Sequence, residues 1–236
     1  MNNKISDFSI SVVVPAYNEE TEIEITVREI FEYLDIKFLN AEILVMNDGS
    51  KDNTLSILKT LAEEIPMLKV LNHEQNMGIG RSMRDLYFAA EADYIFFVPA
   101  DRQVRIEALD DFLPLVGKFD ILSGWRTKRE DPFLRIFNQK LYHLGLRLCF
   151  GIKLHDVDCI KMYPSKLFKE ITLFADSAFQ EAEILYKALR LGYKIGDVPV
   201  VHYPRVGGEQ TGAKLSVVLR AIKDFLKFFF ILSRRK

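Results

Sequence analysis

The chain has 236 residues, of which 49% are hydrophobic and 28% are charged, and its formal net charge is −1. A chain of this length fits one large α/β domain that needs no disulfide bonds for stability. The near-zero charge argues against nucleic acid as a partner of the whole chain. Cys149 and Cys159 have neither metal-ligand spacing nor a disulfide framework, so we expect two reduced thiols. Residues 1–8 are polar and do not resemble a secretory signal, which predicts a cytoplasmic protein.

Short apolar runs alternate with amphipathic segments through the first half of the chain. The runs predict strands at residues 10–14, 42–46, 68–71, 94–98 and 119–123. Helical periodicity predicts helices at residues 20–34, 79–90 and 106–116, and one more helix capped by Asp52 or Ser50. This order of elements predicts an α/β fold with a mostly parallel central sheet flanked by helices.

The pattern changes after Gly124. Helices are predicted at residues 133–150, 179–191 and 216–233, and extended segments at residues 156–163 and 194–203. The sequence contains no internal repeat and no low-complexity linker, so we expect these elements to extend the same sheet. We therefore predict one domain over residues 1–212 and a C-terminal basic amphipathic helix over residues 213–236.

Polar residues follow the predicted strands at their carboxyl ends. In a parallel sheet these ends line one crevice, where ligands bind at the point at which the strand order reverses. After the first strand, Tyr17 could stack on a base and Glu19 could hold ribose hydroxyls. After the second strand, Asp48 could accept an N–H of a nucleobase. Ordinary capping turns are the alternative for both segments.

The glycine-rich segment at residues 76–82 follows the third strand and begins a predicted helix. Backbone N–H groups around Gly78 could cradle a phosphate there, with Arg81 as the counter-charge. A plain glycine-rich turn is the more common origin of such a pattern.

Asp101 follows the wholly apolar fourth strand. Mg²⁺ and Mn²⁺ are commonly held by one or two carboxylates together with substrate phosphates. We predict that Asp101 supplies one such bond, with Gln103 as a carbonyl or water-mediated ligand, so that the ion neutralises charge on a departing diphosphate. The alternative is a solvated loop aspartate paired with Arg102.

Two basic segments suggest anionic partners. Arg126, Lys128, Arg129, Arg135 and Lys140 lie just beyond the sheet, where arginine forks would suit phosphate oxygens and a solvated helix face is the alternative. Residues 213–236 contain seven basic residues and one acidic residue, a net charge of +6. Because apolar residues occupy the opposite face of this segment, the pattern is typical of a helix lying in a membrane surface. A helix packed on the domain, or in a dimer, is the alternative.

Eight motifs occur in a specific order along the chain. They are Val-Val-Val-Pro-Ala-Tyr-Asn-Glu-Glu, Asn-Asp-Gly-Ser-Lys-Asp-Asn-Thr, Asn-x-Gly-x-Gly-x-Ser, Ala-Asp-x-Gln, Gly-Trp-Arg, Asp-Val-Asp-Cys-Ile-Lys, Ala-Glu-Ile-Leu and His-Tyr-Pro-Arg-Val-Gly-Gly-Glu-Gln-Thr-Gly-Ala. In this order they resemble the family 2 glycosyltransferases of GT-A fold, in particular the dolichol-phosphate mannose synthase and polyprenyl-phosphate glycosyltransferase branch. The resemblance covers about residues 9–219.

The resemblance implies an inverting glycosyltransferase at the cytoplasmic face of a membrane. Its donor would be a UDP- or GDP-linked sugar, its acceptor a polyprenyl phosphate, and its cofactor Mg²⁺ or Mn²⁺. It would be peripheral to the membrane surface, as a homo-oligomer or beside a separate membrane subunit. The alternatives are a transferase acting on a soluble or glycan acceptor, a nucleotidyltransferase, and a non-catalytic relative that retains the fold.

The resemblance also implies roles for individual residues, in addition to the phosphate contacts suggested for Gly78 and Arg81. Donor-binding residues would be Pro15, Tyr17, Glu19, Asp48, Asp101 and Gln103, the last two through the metal. Acceptor-binding residues would be Arg126, Arg135, Gln139, Glu183 and Arg205. Asp101, Arg126 and Asp156 would carry the catalysis.

Two positions depart from the family pattern. Pro99 stands where such enzymes usually carry the first aspartate of Asp-Ala-Asp, and it offers no side-chain oxygen. Gln139 stands where a small hydroxyl residue is expected. Either the remaining ligands suffice for the ion, or metal binding is weaker than is usual in the family.

Overall fold

The structure, a computed structural model, describes residues 7–127, 133–204 and 215–233. Its strands are β1 (Ile10–Ala16), β2 (Ala41–Asp48), β3 (Leu68–His73), β4 (Tyr94–Phe97), β5 (Ile121–Arg126), β6 (Lys161–Pro164) and β7 (Ile195–Val200). Its helices are α1 (Ile23–Lys37), α2 (Thr54–Glu64), α3 (Ile79–Ala89), α4 (Leu109–Phe112), α5 (Phe133–Phe150), α6 (Leu167–Glu170), α7 (Gln180–Arg190) and α8 (Leu215–Ser233).

The seven strands form one sheet in the order β3-β2-β1-β4-β6-β5-β7. All neighbouring pairs are parallel except those made by β6, which runs antiparallel to both β4 and β5. The predicted mostly parallel sheet is therefore confirmed. Because β4 and β5 both oppose β6, their carboxyl ends lie at the same edge of the sheet as those of β1, β2 and β3. The loop that precedes β6 reaches that edge as well.

The central strands are apolar throughout because both faces of the sheet are covered. In β1, Val12 and Val14 belong to the core beneath α1 and α2, whereas Val13 belongs to the core beneath α3 and α7. In β4, Phe96 belongs to the first of these cores and Ile95 to the second. Alternating side chains that are buried on both sides explain why these strands read as continuous apolar runs.

Three predicted element boundaries are corrected by the structure. Residues 106–116 do not form one helix but a 3₁₀ turn, the short α4 and a second 3₁₀ turn that contains Pro114, which lacks the N–H that a longer helix needs. Helix α1 starts at Ile23 and not at residue 20; residues 20–22 form a turn, and Asn18 before them has a positive φ of 55°. In the segment predicted to be extended over residues 156–163, only the end belongs to a strand, and residues 156–160 form a loop.

Helix α8 packs on the domain through aromatic side chains. Phe228 lies 5.7 Å from the ring centroids of Phe150 and Phe179, and 5.5 Å from that of Tyr186. Phe225 lies 5.1 Å from Phe150 in an edge-to-face contact. Leu219, Ile222, Leu226 and Phe229 lie on another face of the helix and remain exposed. Among the described residues, no helix is long and apolar enough to cross a bilayer.

The packing of α8 predicts that Phe228→Ala lowers the free energy of unfolding by about 3 kcal/mol, because the substitution leaves a cavity among buried aromatic rings. Phe230→Ala is the matched control. Phe230 is 58% exposed on the same helix, and its loss should cost less than about 0.5 kcal/mol. Urea denaturation measures both values, and equal losses for the two variants would contradict the packing described here.

Candidate functional site

The loops after β1 and β2 are joined by hydrogen bonds at the carboxyl edge of the sheet. The N–H of Asn18 donates to Ser50 Oγ at 3.0 Å, and Asn18 Oδ1 accepts the N–H of Lys51 at 2.8 Å. The N–H of Glu19 donates to Thr54 Oγ1 at 2.9 Å. These contacts fix the loop that carries Tyr17 and Glu19, two of the predicted donor-binding residues. Pro15, a third, precedes them in β1, and all three are half-buried.

Asp48 is directed into the protein in this structure, and its predicted contact with a nucleobase stays a prediction. Its Oδ1 accepts the N–H of Met77 and its Oδ2 accepts the N–H of Gly78, both at 2.8 Å. The Nδ1 atom of His73 lies 2.7 Å from Oδ1, and the Asp48 side chain is only 5% exposed. A carboxylate that accepts three protein contacts in a buried position serves to hold the loop at residues 75–78.

Two groups of the predicted phosphate cradle already have protein partners, and their contacts with phosphate stay predictions. The N–H of Gly78, the residue before α3, with a φ of +91°, donates to Asp48. The Arg81 guanidinium pairs with Asp85 one turn along its own helix, with Nε 2.8 Å from Oδ2. The same carboxylate raises the pKa of Arg81. Neither group is directed at a phosphate in this arrangement.

Asp101 occupies the loop after β4, half-buried, and its Oδ1 accepts the N–H of Gln103 at 3.1 Å. The predicted alternative, an ion pair with Arg102, is not formed. Arg102 adopts a positive φ of 56° and turns its guanidinium to Glu29, with Glu22 3.6 Å away. The charge of Asp101 is therefore not neutralised by the neighbouring arginine.

The residues beside Asp101 fit a divalent cation. The carboxylate of Asp101 and the side-chain amide of Gln103 supply hard oxygen donors of the kind that Mg²⁺ and Mn²⁺ prefer. The carbonyl of Gln103 accepts the N–H of Tyr203 at 2.8 Å, and Thr26 Oγ1 donates to Ala100 O at 3.0 Å, so the loop is held from both sides. With only these two side chains as protein ligands, most coordination positions of the cation would be filled by phosphate oxygens and water.

Arg126, Asp156 and Gln139 meet at the end of β5. Arg126 Nε lies 2.8 Å from Asp156 Oδ2, and Nη2 lies 3.2 Å from Oδ1. Gln139 Nε2 donates to the same Oδ1 at 3.3 Å, and Asp156 is 1% exposed. Burial alone would lower the pKa of Arg126, but the bidentate carboxylate outweighs it and raises that pKa.

Sequence reasoning missed two residues beside this pair, Asp158 and His143. Ligand atoms of His143, Asp156 and Asp158 lie within 4.8 Å of one another. Solvent reaches Asp158, yet protein surrounds it on its other sides. This desolvation, with the charge of Asp156, raises the pKa of the Asp158 carboxyl. The Asp-Val-Asp pattern was the available signal, whereas nothing in the sequence placed His143 opposite it.

A second missed feature is a buried network around Glu181. Tyr87 and Tyr163 donate their hydroxyls to its two carboxylate oxygens at 2.8 and 2.7 Å, and Lys161 Nζ lies 3.3 Å from Oε2. Lys161, 1% exposed, also donates to the carbonyl of Cys159 at 2.8 Å. The network ties the loop that carries Asp156 to α3 and α7.

Glu183 is directed into the protein, and its predicted role in acceptor binding stays a prediction. It is fully buried, and its carboxylate accepts the N–H groups of Phe174 and Ala175 at 2.8 and 2.7 Å and pairs with Lys187. It thus fixes the chain before α7. The side chain of Arg135 and all of Arg205 lie outside the described residues, so their predicted roles stay predictions.

Comparisons with known proteins agree with this architecture. The model of the family described as glycosyl transferase family 2 matches residues 11–172. A dolichyl-phosphate beta-glucosyltransferase from Trichomonas vaginalis is 29% identical, over 92% of this chain and 72% of that protein. A dodecaprenyl-phosphate galacturonate synthase from Rhizobium johnstonii is 25% identical, over 98% of this chain and 69% of that protein.

A similar solved structure is the glucosyl-3-phosphoglycerate synthase of Mycobacterium tuberculosis in complex with Mn²⁺, UDP and glucosyl-3-phosphoglycerate. It superimposes with a TM-score of 0.71 at 20% identity, over 94% of this chain and 80% of that chain. The same protein has been solved with Mg²⁺ and UDP, with a TM-score of 0.65 at 20% identity over 86% of this chain and 73% of that chain. At this identity the likeness confirms the predicted fold.

The pair predicts that Arg126→Met lowers the free energy of unfolding by about 3 kcal/mol, because the buried carboxylate of Asp156 loses its bidentate partner. Arg28→Met is the matched control. Arg28 is 43% exposed and pairs with Glu24 and Glu64 at the surface, so its loss should cost less than about 1 kcal/mol. Urea denaturation compares the two variants, and a cost for Arg126→Met no larger than the control would contradict a structural role for the pair.

Proposed function

Because the chain belongs to glycosyl transferase family 2, we propose that it transfers a sugar, with inversion, from a nucleotide-diphosphate sugar to a polyprenyl phosphate. The observation that carries this proposal is the position of α5. One face of this helix brings Gln139 to Asp156 in the site, and the outward face exposes Leu141, Leu144 and Leu148. An acceptor with a phosphate head and an apolar chain matches both faces.

The donor side of the proposal rests on the crevice at the carboxyl edge. Pro15 at the end of β1 would contact the nucleoside together with Tyr17 and Glu19 of the loop that follows. Asp101 and Gln103 would hold Mg²⁺ or Mn²⁺, and the ion, when bound, would neutralise charge on the leaving diphosphate. Support comes from the Mycobacterium tuberculosis protein, whose structures contain UDP with Mn²⁺ or Mg²⁺.

Arg126 is the residue we propose for the acceptor phosphate. Asp156 takes two of the five guanidinium N–H donors and so fixes the orientation of the side chain, which leaves other donors for phosphate oxygens. A phosphate monoester is already anionic near neutral pH, since its second pKa is about 6. The reaction then needs in-line positioning and no strong general base.

The acceptor assignment is supported by the names of several relatives. Dolichyl-phosphate beta-glucosyltransferases of Trichomonas vaginalis and Dictyostelium discoideum are 29% and 28% identical to this chain and extend over most of it. In the latter case the match covers 97% of this chain and 76% of that protein. These names agree with the lipid-phosphate acceptor inferred from α5.

A soluble acceptor with a hydroxyl nucleophile is the second candidate, and Asp158 is the observation that favours it. A hydroxyl must lose its proton during transfer, and a carboxylate with a raised pKa beside the site is suited to accept it. A phosphate acceptor has no such requirement. Transfer to a lipid phosphate that survives Asp158→Asn would support the first candidate over the second.

The membrane side of the proposal rests on two helices. In α8, Leu219, Ile222 and Leu226 are exposed, and Arg220 and Lys223 lie beside them. The exposed leucines of α5 add to this apolar area. We propose that this surface binds peripherally to the anionic cytoplasmic leaflet, where apolar burial and basic charge act together.

The activity is tested by incubating the protein with UDP- or GDP-linked sugars, Mn²⁺ and a short polyprenyl phosphate. Release of nucleoside diphosphate together with a glycosylated lipid supports the proposal. Pyrophosphate would indicate nucleotidyl transfer, and donor binding without any transfer would indicate a non-catalytic relative.

In that assay, Asp101→Asn should lower kcat on the order of a hundredfold or more, because the metal loses its charged ligand as charge develops on the diphosphate. Binding of the nucleoside, measured by calorimetry, should change far less. Asp111→Asn, an exposed change on α4, serves as the control and should leave kcat unchanged. Near-normal transfer by the Asp101 variant would remove this residue from the mechanism.

Membrane attachment is tested by changing exposed apolar residues without disturbing the packing of α8. The triple variant Leu219→Ser, Ile222→Ser, Leu226→Ser should bind anionic vesicles at least about tenfold more weakly, since each change removes apolar area worth about 1 kcal/mol. The matched triple variant Ile25→Ser, Ile36→Ser, Leu39→Ser removes exposed apolar residues elsewhere on the domain. Vesicle flotation that is equal for the two variants would refute the proposed surface.

A further inference from the structure

His73, the last residue of β3, lies between two carboxylates. Its Nδ1 is 2.7 Å from Asp48 Oδ1, and its Nε2 is 3.0 Å from Asp85 Oδ2. A neutral imidazole has only one N–H, so it can donate to one of these oxygens but not to both. Only the imidazolium satisfies both contacts, and the geometry is therefore that of a protonated ring.

The contact with Asp48 connects His73 to the glycine-rich loop. Asp48 holds that loop through the N–H groups of Met77 and Gly78, each at 2.8 Å. His73 and Asp48 are also direct register partners on adjacent parallel strands. The ring thus orients the carboxylate that holds the backbone of residues 77 and 78.

The loop has little freedom on its other side. Gly49 follows Asp48 at a φ of +64°, and a Cβ added there would lie 2.4 Å from the carbonyl carbon of Gln75. The backbones after β2 and β3 are therefore in close contact at the edge of the crevice. Because there is no free space between the two backbones, a rotation of the Asp48 side chain would displace the loop.

We propose that His73, as an imidazolium, is a positioning residue that holds the loop at residues 75–78 in place at the edge of the crevice and releases it on deprotonation. The assignment rests on the proposed function only in taking this crevice as the donor site. His73 itself touches neither donor nor acceptor in the proposal, and it acts through Asp48 and Asp85.

The charges around the ring fix the direction of the pH dependence. Burial alone would lower the pKa of His73, but Asp48 of β2 and Asp85 of α3 outweigh it and raise that pKa. Arg81 of α3 shares Asp85, which moderates the effect of that carboxylate. Because the pKa of the folded state is raised, the interaction is complete at low pH and is lost as the pH rises through the raised pKa. The loss falls above the ordinary histidine pKa of about 6.5.

The first measurement is an NMR titration of the four histidines, in which His73→Gln identifies the His73 signal. Asp85→Asn should lower the pKa of His73, since it removes one of the two facing charges. Asp197→Asn is the matched control. It removes the carboxylate 2.8 Å from His155 Nδ1 and should leave His73 unchanged. A pKa of His73 at or below about 6.5, or one unaffected by Asp85→Asn, would overturn the proposal.

The second measurement is the affinity for UDP and GDP with Mn²⁺ across the same pH range. The dissociation constant of the wild-type protein should rise about tenfold as His73 deprotonates, a change of the size of one charge-assisted hydrogen bond. Asp85→Asn should move this rise to lower pH. His73→Gln should bind both nucleotides weakly, and its dissociation constant should not change over that pH range. A pH profile that is the same in all three proteins would overturn the positioning role.

Amide hydrogen exchange at Met77 and Gly78 separates this inference from the proposed function. Their protection factors should fall through the His73 pKa in the wild-type protein and at lower pH in Asp85→Asn. If neither nucleotide binds at any pH, the proposed function fails while this measurement still decides the role of His73. Protection that is independent of the His73 charge would overturn the inference even where nucleotides bind.

Discussion

The site depends on one geometric constraint: parallel strands bring their carboxyl ends to the same edge of the sheet. Asp48 and Arg126 end β2 and β5, and Asp101 lies in the loop after β4; these residues, far apart in sequence, reach this edge because their strands share one direction. The antiparallel β6 adds a second source of residues, since its preceding loop reaches the same edge and delivers Asp156. Apolar burial on both faces fixes the sheet, and the sheet in turn fixes where the polar groups meet.

Charge at this edge is arranged in two different ways. Asp156, Asp48 and Glu183 are buried and accept several donors each, so their charges hold loops and an arginine in place. The carboxylates of Asp101 and Asp158 are more open to solvent, and Arg102 turns away from the former. A buried carboxylate depends on its protein donors to offset the loss of water, whereas a carboxylate that water reaches is also open to a ligand. The division between them separates residues that shape the crevice from those that can contact its contents.

The sequence predicted the sheet and most elements because short apolar runs and helical periodicity report burial directly. Through the order of the motifs it named Arg126, Gln139 and Asp156 as site residues, but it did not predict that these three side chains contact one another. It could not tell which carboxylates turn inward, because that depends on donors supplied by distant loops, such as the N–H groups of Met77 and Gly78 for Asp48. The Glu181 network and the pairing of Arg102 with Glu29 likewise join residues with no shared local pattern. Helix α8 has apolar residues on more faces than the one that packs on the domain. The sequence alone therefore did not show which face stays exposed.

The central claim is that Asp101 at the end of β4 binds a divalent cation shared with the two phosphates of a nucleotide. Anomalous diffraction near the manganese edge, from crystals grown with UDP and MnCl₂, tests it most directly. The account predicts one manganese peak at about 2.2 Å from an Asp101 carboxylate oxygen, with the diphosphate on the other side of the ion. Manganese at Asp156 and Asp158 instead, or a nucleotide away from the carboxyl edge of the sheet, would contradict it.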